Sequence, residues 1–478
     1  MKPIFTISII TLSLLTACQT TTSINTASNI TLPERFLHVS GSQPSNISQW
    51  WQSWQDDVLN QLIEQGLHNG LDIKIAQSRL NEATQTAKLA QADLGAQVGL
   101  TGNAAYNRAH LNNPIDSNTQ QSLPILPTHD INSEGSLLNA GLAASWELDF
   151  FGGKKSDADA ARWQAIGVQE QLHAAQLLLA ANIAEAYINV RALQQNQQQT
   201  ERSIAALKQM LRYVQGRFRA GHVSAYEVES VQADLTALQG KHATLNAQQQ
   251  MYIRQIAVLT GQTPQTFKLP ESTHNILNKQ PNPPQGATPE GLLERRPDLR
   301  AHAAAVQARA AQLASAKSDL YPRFTLNFLG QGARLSVDSD TALTGWASLI
   351  NLGISVPLFT NGRLHANINA ADARLQTALL EYDQTLLRAL AEVDNAYQLT
   401  QSITQQTEHL QHSNKLHQQQ AQDATKLFHY GNKTLDEVLR AQINAETAAE
   451  TLTQAKLARA KSLIGLYKAL GGGWQHVN

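Results

Sequence analysis

Cysteine is almost missing: Cys18 is the only one in 478 residues. That excludes an intrachain disulfide and any multi-cysteine metal site. Aromatic residues are also scarce, at 6%, whereas Ala and Gln abound. Such a composition favours long helices over a sandwich or propeller. Charged residues are 16% of the chain, the net charge is -1, and no basic run exceeds two residues. Nucleic acid is therefore not an expected partner. No stretch reaches the eighteen or so apolar residues of a membrane-spanning helix. Any part of this chain that crosses a membrane must do so as strands. Catalytic signatures are missing too: there is no HExxH, no phosphate-cradling glycine loop and no nucleophile elbow. His409, His412 and His417 are spaced by three and five, which does not put all three on one helix face. The expectation is a non-enzyme without metal or cofactor.

What is present begins at the amino terminus. Lys2, an apolar run from Ile4 to Leu15 and small residues after it form a secretory signal peptide over 1–17. It ends Leu15-Thr16-Ala17-Cys18, the pattern of a bacterial lipobox, whose thiol takes a diacylglyceryl thioether. Acyl chains on Cys18 would hold the mature end on a bilayer, and the polar stretch to Ser48 reads as a tether. Resemblance to lipoproteins further implies outer-membrane sorting, because Gln19 rather than an aspartate follows the cysteine.

The rest of the chain is duplicated. A shift of 210 residues aligns Ala186-Tyr187 with Ala396-Tyr397, Gly221 with Gly431, Glu227-Val228 with Glu437-Val438, and Gly261 with Gly471. Earlier in each copy the shift is 226, aligning Asp72 with Asp298 and Asp93-Leu94 with Asp319-Leu320. The first copy thus carries 16 extra residues (226 − 210), and the polar segment Asn107 to Ser136 is the place expected for them. The resulting division is a signal peptide (1–17), a lipid-anchored tether (18–48), a first repeat (49–264), a linker (265–288), a second repeat (289–470) and a tail (471–478).

Within each repeat the hydrophobic period changes. After Phe151, and again after Gly362, about sixty residues read helical without a proline, a rod of roughly 90 to 100 Å. The return helix shows Val228, Val231, Leu235, Leu238, His242, Leu245, Gln249, Tyr252, Ile256 and Leu259 in coiled-coil spacing. Its second copy has smaller residues in that register, among them Ala441, Ala445, Ala448, Leu452 and Ala455. Period two marks four strands, expected at about 97–107, 137–150, 322–334 and 345–358. In the second, Leu138, Ala140, Leu142, Ala144, Trp146, Leu148 and Phe150 oppose Asn139, Ser145, Glu147 and Asp149. An ordinary half-buried sheet has the same alternation. Four strands cannot close a transmembrane barrel, which starts at about eight. A lipid-facing sheet from this chain must therefore be completed by other copies, two giving eight strands and three giving twelve.

Six segments together resemble the TolC-like outer-membrane channels, in the lipid-anchored branch of multidrug efflux outer-membrane factors. They are SWELDFFGGKK (145–155), RFRAGHVSAYEVESVQADL (217–235), LTGQTP (259–264), LLERRPDLRAHAAAV (292–306), VPLFTNGRL (356–364) and LYKALGGGW (466–474). The resemblance implies a mainly α chain with a transmembrane β part. A long α-helical barrel continues into a 12-stranded β-barrel shared by a homotrimer. It also implies a periplasmic adaptor and an inner-membrane RND-type transporter as partners, besides outer-membrane lipid. The helical tips, with Arg219, Gly221, His222, Tyr430, Gly431 and Lys433, would meet the adaptor. A constriction would lie close by, where the family commonly has an aspartate in a V-L-D-A-Q segment. This chain departs from that pattern, reading Val438-Leu439-Arg440-Ala441-Gln442. Arg440, Asp436, Glu437, Glu227 and Glu229 are accordingly the gate candidates, with a salt-bridged latch among them as the hypothesis. The expected function is a passive exit duct for drugs or other small solutes. A duct for polypeptides and a poreless periplasmic scaffold are the alternatives.

Overall fold

The computed structural model describes residues 24–39, 45–112, 131–272, 274–337 and 341–474. Cys18 and the signal peptide lie outside them. Chain order runs through a 3-10 turn at Trp50–Trp54, then α1 (Asp57–Asn69), α2 (Leu71–Ala92), β1 (Gln97–Leu111) and β2 (Ile131–Leu148). The hairpin α3 (Gly153–Arg219) and α4 (Ala225–Leu259) completes the first half. The second half holds α5 (Pro289–Arg295), α6 (Pro297–Ser318), β3 (Arg323–Val337), β4 (Thr341–Ser355), α7 (Arg363–His429) and α8 (Leu435–Ala469).

Element lengths carry the duplication. The helices α3 and α7 have 67 residues each, α4 and α8 have 35 each, and α2 and α6 have 22 each. Between β1 and β2 lie nineteen residues (112–130), and between β3 and β4 three (338–340), a difference of sixteen. The extra chain is therefore narrower than the segment 107–136 expected from composition. The ladder continues into that segment because cross-strand backbone bonds form regardless of side-chain hydropathy. Arg108 and Glu134 pair across it at 3.1 Å. All three strand pairs are antiparallel, in the order β1-β2-β3-β4.

The described residues form two compact units. One holds 83–164 and 306–378, with the sheet and the helix ends flanking it. The other holds 27–82, 165–305 and 379–474 and contains the main apolar core. That core joins Trp50, Trp51 and Trp54 to Ile183, Tyr187 and Ile188 of α3, Leu386 and Val393 of α7, and Leu463, Ile464 and Leu466 of α8. Asp56 is fully buried; it caps α1 and accepts the Tyr187 hydroxyl at 2.9 and 3.0 Å. Burial pushes the Tyr187 phenol up to about 12, so it remains a donor.

Two segments read as tether and linker take part in this core, and the tail packs beside it. Phe36 and Ile47 of the tether are buried, and its Ser28 hydroxyl donates to Asp383 at 2.5 Å. Ile276 and Leu277 of the linker are buried, while Pro284 accepts from the Tyr397 hydroxyl at 2.9 Å. Trp474 stacks on His173 at 4.3 Å and donates to the Arg295 carbonyl. Composition hid these contacts: one or two apolar side chains per segment suffice when the segment lies flat on a helix surface.

Candidate functional site: an open-edged sheet and two helical tips

Register sorts the strand residues into two unlike faces. Val98, Leu100, Leu138, Leu142, Trp146, Phe324, Leu326, Phe328, Trp346, Ile350, Leu352 and Ile354 share one. Asn103, Asn139, Asn327, Gln331 and Asn351 share the other, interspersed with Leu137, Leu329, Leu335, Leu343 and Leu349. Most of the large apolar side chains are exposed, Leu100 at 85% and Trp346 at 85% among them. Among the described residues no helix is long and apolar enough to cross a membrane. Aromatic side chains sit on this sheet or just past it: Phe150 packs edge-on against Phe324 at 5.1 Å, and Phe359 is 87% exposed. The outer edges of β1 and β4 pair with nothing among the described residues. Apolar exposure on one face and unused hydrogen-bonding groups on two edges make this sheet incomplete by itself.

The helical tips are two versions of one turn. Gly221 (φ 76°) and Gly431 (φ 77°) each end a 67-residue helix in the left-handed conformation. Their N–H groups donate to Phe218 and Phe428, and the next N–H groups to Arg217 and Leu427, all at 2.9 Å. This satisfies carbonyls left over at the helix end. Three residues later a capping box opens the return helix, Ser224 with Glu227 and Thr434 with Glu437. Glu227 accepts the Ser224 N–H at 2.6 Å, and Glu437 accepts the Thr434 N–H at 2.8 Å. The Lys433 ammonium at 2.6 Å, with that N–H, holds the Glu437 carboxyl down to about 2. The Ser224 donors lower Glu227 likewise.

These bonds change the reading of the gate candidates. Glu227 and Glu437 are committed to capping, and Asp436 accepts from the Thr434 hydroxyl at 2.6 Å. The ion pair at Asp436 is with Arg217, at 3.9 Å, and that at Glu437 is with Lys433. Arg440 reaches neither carboxylate; it borders a cleft of about 560 Å³ with Asp234 and Lys241. Glu229 is exposed. Among the described residues of this one chain no ion pair joins Arg440 to Asp436, Glu437, Glu227 or Glu229, the groups among which a latch was expected. What joins the first hairpin to α8 is a series of other pairs: Arg217–Asp436, Arg202–Glu446 at 2.8 Å and Lys241–Glu450. Sequence reading missed them because the partners lie more than 200 residues apart. The capping boxes, by contrast, were legible as S/T-x-x-E at 224–227 and 434–437. Tip residues Arg219, His222 and Tyr430 are exposed, Tyr430 at 80%. Lys433 is half-buried over Glu437.

Two further motifs have mechanical roles. Gly261 and Gly471, equivalent by the shift of 210, both have positive φ and closely approach a helix-end carbonyl, Asn69 and Arg295. A Cβ would lie 2.6 and 2.7 Å from those oxygens. In LLERRPDLR, Arg296 reaches Asp298 at 2.7 Å, Glu392 at 2.8 Å and the Ala469 carbonyl at 3.0 Å. Arg300 pairs with Glu170 at 2.7 Å, a carboxylate only 2% exposed that also meets His173 at 3.0 Å. These contacts tie the start of the second repeat to α3, α7 and α8.

The family model described as outer membrane efflux protein matches the chain over residues 62–262 and 288–472. The pyoverdine export outer membrane protein OpmQ of Pseudomonas aeruginosa is 31% identical over 92% of this chain and 90% of its own length. The cation efflux system protein CusC of Escherichia coli O6:H1 is 27% identical over 89% of this chain and 88% of its own. Among solved structures, the outer-membrane channel OprN superposes with a TM-score of 0.79 at 24% identity, covering 95% of this chain and all of that one.

Proposed function

The chain belongs to the outer membrane efflux protein family, and from that premise we propose that three copies complete one another's sheets around a common passage. As a member it is an outer-membrane efflux channel of a tripartite system, and its four strands are the membrane part. The observation that carries the proposal is the sheet with an apolar exposed face and two unused edges. Twelve strands from three chains satisfy both. The asparagine-rich opposite face would then line a wet passage. Conduction would be passive, with the energy supplied by an inner-membrane RND-type transporter acting through a periplasmic adaptor. The exposed tips around Arg219, His222 and Tyr430 are the surface for that adaptor. Acylation at Cys18 would add a lipid anchor.

Small solutes fit this reading better than one dedicated cargo. The pyoverdine-export and cation-efflux relatives match this chain over most of its length while differing in what their names say they move. That divergence supports a duct whose selectivity resides in its partners. Electron microscopy of the detergent-extracted protein, viewed along its axis, tests the proposal. A three-fold ring around a lumen is expected, with stable conductance steps in planar bilayers. Lumen-free monomers that leave bilayers silent would refute it.

A further inference from the structure

We propose that Arg334 centres a docking patch for the phosphate-bearing headgroup of an outer-leaflet glycolipid, an inference that rests on the outer-membrane reading above. Arg334 lies on the apolar face of β3, between Leu138 of β2 and Thr344 of β4 in the register. It is exposed and has no ion-pair partner among the described residues. The other arginine on this face, Arg108, is already neutralised by Glu134.

An unpaired guanidinium facing lipid is tolerated only where the hydrocarbon ends. Its height on the strand fits that place. Phe324 begins the apolar face at the end of β3 that joins α6. Ten residues further on, at about 3.3 Å each and a tilt near 40°, the strand has climbed about 25 Å, the height of an outer-membrane apolar band. Arg334 therefore stands at the margin away from the end of β3 that joins α6. With the helices on the periplasmic side, this margin belongs to the outer leaflet.

The neighbours supply matching chemistry. Thr344 is opposite Arg334, Ser336 is two residues along on the same face, and Ser136 and Tyr106 follow across the ladder from Ser336. One planar cation beside the hydroxyls of Thr344, Ser336 and Ser136, with that of Tyr106 already bonded to Glu134, suits a phosphate on a sugar: the guanidinium donates to the anion in bidentate fashion and the three hydroxyls exchange hydrogen bonds with the sugar. Apolar neighbours such as Leu138, opposite Arg334, and Trp346, two residues beyond Thr344 on the same face, face the acyl chains.

The test measures lipid retained by the full-length protein extracted from outer membranes in mild detergent. Lipopolysaccharide is quantified by its keto-sugar and phosphorus, and phospholipid separately, for wild type, Arg334→Ala and Arg334→Lys. Loss of about threefold or more of the bound lipopolysaccharide in R334A, with most of it kept in R334K, is expected for one charge-assisted contact. Equal retention in all three, or retention of phospholipid in place of lipopolysaccharide, would overturn the inference. Oligomeric state and outer-membrane fractionation of the same samples report separately on the channel reading. A wild-type trimer with unchanged lipid in R334A defeats the patch alone.

Discussion

At the residue scale, Glu437 and the glycines show how position decides chemistry. The Glu437 carboxyl sits near 2 rather than its ordinary 4.5 because Lys433 and the Thr434 N–H stabilise its charged form. A lowered carboxylate contributes stability at neutral pH that disappears as pH falls from about 4.5 towards 2. Amide exchange in the first turn of α8, corrected for intrinsic rates, should therefore be flat from pH 8 to 5 and accelerate below that window; in Glu437→Gln the acid step should vanish. Glycine gives a second comparison. Gly431 has open space where a Cβ would go, so Gly431→Ala meets only the left-handed backbone penalty, about 1 kcal/mol. Gly471→Ala adds a clash with the Arg295 carbonyl and should lower the denaturation midpoint distinctly more. Equal shifts for the two would show that close approach does not matter. The shift of 210 made both glycine pairs visible in the sequence. Which of them was crowded was invisible there, because Asn69 and Arg295 are brought up by separate helices.

At the element scale, long helices were legible from uninterrupted periodicity, and the buried seam of α4 contains Val231, Leu235, Leu245 and Ile256 as the coiled-coil spacing suggests. Charges between helices were not legible, since any acid can meet any base until register is set. The pairs also differ in worth. Arg202 and Glu446 keep side-chain exposures of 57% and 22%. A double-mutant cycle there should give a coupling below about 1 kcal/mol that shrinks in high salt. Glu170 is the opposite case. Replacing this buried carboxylate by Ala removes the anion between Arg300 and His173, which keep their contacts with Trp474, and should cost about 3 to 5 kcal/mol, read as a lower denaturation midpoint. A loss within the range of a surface pair would show that the cluster is hydrated rather than structural.

At the scale of the whole molecule, the unused edges of β1 and β4 make the single chain an incomplete object. Membrane residence would then have two independent sources, the acylation proposed at Cys18 and the apolar sheet face. Cys18→Ser should abolish palmitate labelling yet leave the protein in the outer-membrane fraction after a carbonate wash, provided the signal peptide is still removed. Release by that wash would mean that the sheet does not hold the protein. The number of copies belongs to this scale too. Four strands per chain exclude a lone barrel, but two or three copies would both close one, and no single residue chooses between them.

Sequence alone determined the kind of protein this is: a duplicated, cysteine-poor chain with a lipobox, long proline-free helices and strands of period two. Local spacing and composition carry that information, because helix and strand periods are properties of contiguous residues. Only the tertiary structure decided that Phe36 and Ile47 belong to the core, that Trp474 packs beside it and that Glu227 and Glu437 are caps. It alone joined Asp436 to Arg217 rather than Arg440 and left Arg334 without an ion-pair partner among the described residues, on an apolar face. Each of these depends on which distant segments meet, and contact between residues hundreds of positions apart is fixed by packing and register, not by neighbours in the chain.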